Sequence, residues 1–176
     1  SEGDDGCIDV IAEFEKAYPN IKVNYVTFDS NETMYTKMAG GGITVDVIIP
    51  SDYMIERLIA EDLLAELDYS NIPNFELIDP RFKNLAYDPE NLYTVPYTWS
   101  TLGIIYNTAM VDEPITSWDA MFDPKYAGQV LMINNSRDAL AAALFSLGYD
   151  INTTDEAKLR EASALLAEAK SAGVYQ

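Results

Sequence analysis

The stretch VIIPSDYMIERL, Val47 to Leu58, decides how the chain is read. It opens as an apolar run and breaks at Pro50. It then sets out a hydroxyl, a carboxylate and a phenol in Ser51, Asp52 and Tyr53, and continues as a helix from Asp52 to about Ala60. The β-branched run Val45 to Ile49 before it has the pattern of a strand covered on both faces in a parallel sheet. Ligands of open α/β sheets sit beyond the carboxyl ends of the strands, where Ser51, Asp52 and Tyr53 fall. Ser51 therefore has two readings. It caps the helix that follows, or it faces a ligand together with Tyr53.

Working outward, the same alternation recurs. Asp9 is the expected N-cap of a helix carrying Val10, Ile11, Phe14 and Tyr18 on one stripe, and Pro19-Asn20 ends it. Ile21, Val23 and Tyr25 alternate with Lys22 and Asn24 as a half-buried strand. Ser30-Asn31-Glu32 starts a second helix through Met34, Tyr35 and Met38, stopped by Gly40-Gly41-Gly42. From Asp68 to Asn91 the chain reads as irregular, and Pro73 stands where a calcium loop starting at Asp68 would need glycine. Thr94 to Thr108 reads as an extended passage. Thr116 is the expected cap of a short helix over Trp118 and Met121, Val130 to Ile133 a buried strand, and Ser136 the cap of the next helix. Thr153 to Glu156 has capping-box spacing before a long amphipathic helix through Leu159, Leu165 and Leu166. Strands alternating with helices imply right-handed crossovers and an α/β fold of open sheets flanked by helices.

Across its 176 residues, 11 Lys and Arg stand against 29 Asp and Glu, a net charge of -18. Such a chain repels nucleic acid and anionic membrane and attracts cations. A content of 48% apolar residues is enough to build a core. No run approaches the roughly 18 apolar residues of a membrane span. The single cysteine, Cys7, permits no internal disulfide.

The chain holds no histidine, which excludes a Ser-His-Asp triad, a Cys-His pair and a His-ligated metal. No phosphate-cradling glycine motif occurs. Paired carboxylates can always be nominated among 29 acidic residues, so their presence carries little weight for an enzyme. The inventory fits a binder of small cations better, because proteins hold an ammonium with carboxylates, oxygen acceptors and aromatic faces. Tyr53, Tyr97 and Trp99 are the aromatics placed for that role, against the plainer reading of ordinary core or interface rings. Asp52, in the first helical turn, would offset the positive helix terminus behind Ser51.

The segments EFEKAYPNIKVNYVTFDSNETMYTKM, DVIIPSDYMIERL, YTVPYTWSTLGIIYN, TSWDAMFDPKYAGQVLMIN and SRDALAAALFSLGYDINTTD occur in this order. The series resembles the polyamine-binding proteins of bacterial ABC importers, the spermidine/putrescine receptors of the periplasmic-binding-protein type. The match runs from about Asp9 to Lys170. It implies a two-lobed α/β receptor with mixed open sheets flanked by helices. Such a receptor performs no covalent chemistry, needs no cofactor or metal, and works in the periplasm or outside the cell, membrane-associated through its transporter. It closes around a polyamine and delivers it to an ABC permease.

By the same resemblance Ser51 and Tyr53 line the cleft, and Asp138, just inside the helix after the second lobe's first strand, grips an amine. Two departures follow. A first-strand motif like N-W-[STG]-[DE]-Y is expected where this chain has SEGDD, so that Glu2 stands at the Trp position, Asp4 at the acid and Asp5 at the Tyr. A further family carboxylate is replaced by Asn135, which accepts a hydrogen bond but cannot neutralise an ammonium. Family members are also about twice as long, in keeping with two typical domains. The resemblance thus covers their N-terminal half, with lobe one at 1–102 and the hinge and start of lobe two at 103–176. The expectation is an incomplete two-lobed fold, a homo-oligomer if the chain stands at this length. The alternative is a truncated or domain-swapped receptor fragment without a competent cleft.

Overall fold

In the computed structural model, which describes residues 8–176, α1 (Val10–Ala17) begins where Asp9 Oδ1 accepts from the Ala12 amide at 3.0 Å. The expectations placed on Glu2, Asp4, Asp5 and Cys7 lie outside the described residues. The chain divides into two compact units, Ser1–Tyr97 and Thr98–Gln176.

In the first unit α2 (Asn31–Ala39) is capped by Ser30, whose Oγ accepts from the Thr33 amide at 3.1 Å. Its end closes with Gly41 at φ 68°, a left-handed conformation that glycine adopts without steric cost. A third helix, α3 (Asp52–Ala60), lies against α2 because Met34, Met54 and Leu58 share one buried cluster, with Phe28, Tyr35, Met38, Ile48, Tyr53 and Leu64 around it. The buried Met34, Met54 and Leu58 side chains each contribute about 1.5–3 kcal/mol by leaving water. A polar clamp reinforces the pair. Tyr35 Oη donates to Glu61 Oε2 at 2.6 Å, Arg57 Nε donates to Glu61 Oε1 at 2.9 Å, and the guanidinium lies 3.7 Å from the Tyr35 ring centre.

The irregular passage after α3 is a series of 3-10 turns, Tyr69–Asn71, Pro73–Leu77 and Pro80–Phe82. Asp68 and Asp79 cap the first and third of them, because a short carboxylate reaches an amide two residues on. The passage ends in a knot around Asp88, 3% exposed, whose oxygens accept from the Leu92 and Tyr93 amides at 3.0 Å and from Thr94 Oγ1 at 2.8 Å.

In the second unit α4 (Ser136–Ser146) packs on α5 (Glu156–Ser171) and on the 3-10 turn Trp118–Met121. Ala143 and Ala162, both fully buried, allow the close helix approach, and Leu140, Leu159, Leu165 and Leu166 close over it. Trp118 stacks on Phe145 at 5.4 Å. A separate cluster joins Val130, Ala169 and Val174 with Met121, Phe122, Tyr126 and Tyr175.

Three expected caps move by one or two positions. Ser117, not Thr116, caps the Trp118 turn, Asn135, not Ser136, caps α4, and Asp155, not Thr153, caps α5. In the last case Thr153 Oγ1 accepts from the Asp155 amide at 3.2 Å, and Asp155 Oδ1 accepts from the Ala157 amide at 2.9 Å. The carboxylate sits nearer the first open amides and takes the cap.

The larger correction concerns the sheets. The runs expected as strands, Ile21 to Tyr25, Val45 to Ile49 and Val130 to Ile133, form no ladder among the described residues. There the only β pairing is a parallel bridge between Val130 and Tyr175, flanked by the Gln176 amide donating to the Val130 carbonyl at 3.0 Å. Val47 is 80% exposed and Leu131 75%, so the two-sided burial expected of these runs is absent. A strand exists only where a neighbour takes its N–H and C=O groups, and an apolar pattern supplies the tendency without the neighbour.

Candidate functional site

Ser51 occupies the N-cap position of α3 in backbone conformation, φ -74° and ψ 158°, yet its side chain makes no capping bond. Its hydroxyl instead accepts from Asn31 Nδ2 at 3.0 Å, and its amide donates to Asn31 Oδ1 at 3.3 Å. The capping reading of Ser51 therefore fails at the level of the side chain. Tyr53 is half-buried against the Met34–Leu58 cluster. Its phenol accepts from Asn31 Nδ2 at 3.0 Å and donates to Glu32 Oε1 at 2.9 Å.

Asp52, between them, is exposed, with Oδ1 accepting from the Tyr53 amide at 2.8 Å. It stands in the first turn of α3, where a carboxylate is stabilised by the helix terminus. Its charge also reaches Tyr87, whose phenol is pushed above its ordinary value by burial first and then by Asp52 and Asp88. Ser51, Asp52 and Tyr53 thus share one edge of the first unit.

Sequence reasoning missed Asn31 and Glu32, which complete this edge. They lie 20 to 22 residues before their partners, a separation that no local pattern reports. The signal available was the SNETMY segment, one of the pieces that carried the family resemblance.

In the second unit, Asn135 Oδ1 accepts from the Arg137 amide at 2.9 Å and from the Asp138 amide at 3.2 Å. Both lone pairs of that oxygen serve the cap of α4, leaving the amide nitrogen, a donor, as its outward group. Asp138 is half-buried in the first turn of α4, held in place by the same cap. Trp99 is 67% exposed. The structure joins Ser51 to Tyr53 and Asn135 to Asp138. Asp4 lies outside the described residues. Among the described residues no group of three or more His, Cys, Asp or Glu is arranged to hold a metal ion, and no helix is long and apolar enough to cross a membrane.

The first unit thus carries a hydroxyl, a phenol and carboxylates on the starts of α2 and α3, and the second unit carries an acid in the first turn of α4. The chain belongs to the bacterial extracellular solute-binding protein family, whose model matches residues 9–176. It is 37% identical over 144 residues to the spermidine/putrescine-binding periplasmic protein of Escherichia coli, covering 81% of this chain and 41% of that one. The corresponding protein 1 of Haemophilus influenzae is 37% identical over 161 residues, 90% of this chain and 44% of that one. Among solved structures, a putative spermidine/putrescine ABC transporter protein from Listeria monocytogenes superposes with a TM-score of 0.87 at 44% identity, covering 94% of this chain and 51% of that one. A lipoprotein of Treponema pallidum gives 0.84 at 32% identity, covering 93% and 51%. The chain spans about half the length, or less, of the relatives it matches.

Proposed function

We propose that this chain carries the first lobe, and the start of the second, of an extracytoplasmic receptor that captures polyamines for an ABC importer. The observation that carries the reading is the similarity to relatives named for spermidine and putrescine binding, with the Ser51 and Tyr53 edge built as a polar, partly aromatic surface. Putrescine and spermidine are cations with methylene spacers. They suit a surface where a phenol ring lies along the methylenes and carboxylates meet the ammonium ends. The net charge of -18 adds a long-range attraction for them. Asp138 is the residue proposed to meet an amine, Ser51 to accept a hydrogen bond, and Tyr53 to cover the chain. Asp52, Trp99 and Asp4 are secondary candidates, whereas Asn135, with its oxygen spent on the α4 cap, has only a donor left and does not suit an ammonium. The partner would be a membrane permease, and the place of action the periplasm or the cell exterior.

The test is calorimetric titration of the chain with spermidine and putrescine at low salt, with the mass in solution measured alongside. Saturable one-to-one heat supports the reading. A folded chain that gives none would favour the second reading, a receptor fragment without a competent cleft. A specific observation favours that alternative. Within the first unit Val47 is 80% and Ile49 63% exposed, apolar side chains that self-association would cover.

A further inference from the structure

We infer that Asn31 is the positioning residue of the first unit: its one amide fixes both Ser51 and Tyr53 for ligand without touching the ligand. The inference rests on the reading of Ser51 and Tyr53 as polyamine contacts. A primary amide offers two N–H donors and one carbonyl acceptor. Asn31 engages all of this capacity on α3, with Nδ2 donating to Ser51 Oγ and to Tyr53 Oη, each at 3.0 Å, and Oδ1 accepting from the Ser51 amide at 3.3 Å. The partners also fix which end of the amide is which. With oxygen and nitrogen exchanged, the Ser51 amide would face a donor.

The position of Asn31 as first residue of α2 follows from the Ser30 cap, and α2 is held to α3 by the Met34, Met54 and Leu58 cluster. The amide therefore sits on a rigid platform. Two consequences follow for the groups it holds. Ser51 Oγ, which accepts from Asn31, keeps a second lone pair for an ammonium, so the hydroxyl is aimed without being consumed. The Tyr53 phenol, accepting from Asn31 and donating to Glu32, has its ring fixed at the polar end as well as at the core end. Holding two side chains in place before the ligand arrives removes their ordering cost from binding.

Affinity of the chain for putrescine, read by calorimetry, tests this in a cycle of variants. Asn31→Ala is expected to weaken binding roughly tenfold in the otherwise unaltered chain. The same substitution is expected to change binding by less than about twofold when Ser51→Ala and Tyr53→Phe are already present, since nothing remains to be positioned. Asn31→Leu keeps about the size, loses both donors and the acceptor without adding charge, and is expected to behave as Asn31→Ala does. An equal loss in both backgrounds would show a general structural role and overturn the inference.

If the unaltered chain takes up no putrescine, the polyamine reading fails, and the positioning role is decided by a second measurement. The side-chain amide resonances of Asn31, identified by their disappearance in Asn31→Ala, are expected to move in Ser51→Ala and, separately, in Tyr53→Phe. Resonances unmoved by either substitution would overturn it.

Discussion

The phenol of Tyr53 donates to Glu32 Oε1 at 2.9 Å, so the first turns of α2 and α3 are tied together by two residues 21 positions apart. This bond stands at the exposed end of the helix pair, and the Tyr35, Arg57 and Glu61 clamp joins the same two helices through other residues. The surface proposed to meet a polyamine is thus carried on two elements that cannot easily slide past one another.

Two of the proposed contact residues should contribute unequally. Asp138→Asn is expected to weaken putrescine binding about ten- to hundredfold, because an ammonium left without its counter-charge forfeits a charged hydrogen bond of about 1.5–3 kcal/mol. Ser51→Ala should cost only a few-fold, the loss of one neutral hydrogen bond. Calorimetric titration of both variants under one buffer ranks them. Equal affinities for Asp138→Asn and the unaltered chain would remove Asp138 from the site.

The core of the first unit should fail by a cavity. Leu58 is fully buried in the cluster that joins α2 to α3. Leu58→Ala is expected to destabilise by about 3 kcal/mol. Urea unfolding followed by tyrosine fluorescence reads the shift, and a loss below about 1 kcal/mol would mean that the pair is held by its polar clamps instead.

Asp88 presents the opposite case, a buried charge satisfied by its own loop. Asp88→Ala leaves the Leu92 and Tyr93 amides and the Thr94 hydroxyl without their acceptor and should cost about 3 kcal/mol. Thr94→Val removes a single donor and should cost about 1 kcal/mol. Denaturant midpoints of the two variants check the ordering.

The Tyr35 phenol and then the Arg57 guanidinium hold the Glu61 carboxyl below its ordinary value of 4.5. A depressed carboxyl contributes stability that is present above its unfolded value and is lost as pH falls through the folded one. The loss should therefore begin below about pH 4.5 and continue to lower pH. Glu61→Gln should flatten that acid limb in a thermal-unfolding profile, and an unchanged limb would mean that the clamp does not contribute.

Tyr175 reverses the sign. Its hydroxyl is buried without a hydrogen-bond partner among the described residues, and burial pushes the phenol from its ordinary 10.0 up to about 12. The unfolded phenol ionises first, so the stability this group confers is present below pH 10 and lost as pH rises from there toward 12. Tyr175→Phe removes a hydroxyl with nothing to bond. It should stabilise the second unit by about 1 kcal/mol at neutral pH and soften the alkaline limb. Thermal unfolding at pH 7 and above pH 10 measures both effects.

The chain's own letters placed the helices well. The Asp9 and Ser30 caps, the Gly40-Gly41-Gly42 stop, the helix after Ser51 and the leucine stripe of α5 are where local rules put them, because caps and helical periodicity are decided within a few residues. Ordered motifs also sufficed for the family. What local rules could not decide was which of two adjacent polar residues takes a cap, as at Asn135 and Asp155, because that depends on which oxygen reaches the open amide. They could not decide pairing either. Val45 to Ile49 carries the composition of a strand, and pairing is a property of two segments.

The site divides along the same line. Residue chemistry and the family resemblance named Ser51, Tyr53 and Asp138 as candidates near the starts of helices. Only the tertiary structure turned the Ser51 hydroxyl away from its helix, brought Asn31 and Glu32 to it and to Tyr53, and committed the Asn135 oxygen to a cap. A side chain's chemistry is written in its residue, but its partner is chosen by the packing of Met34 against Met54 and Leu58, which sets two distant helix ends within hydrogen-bonding reach.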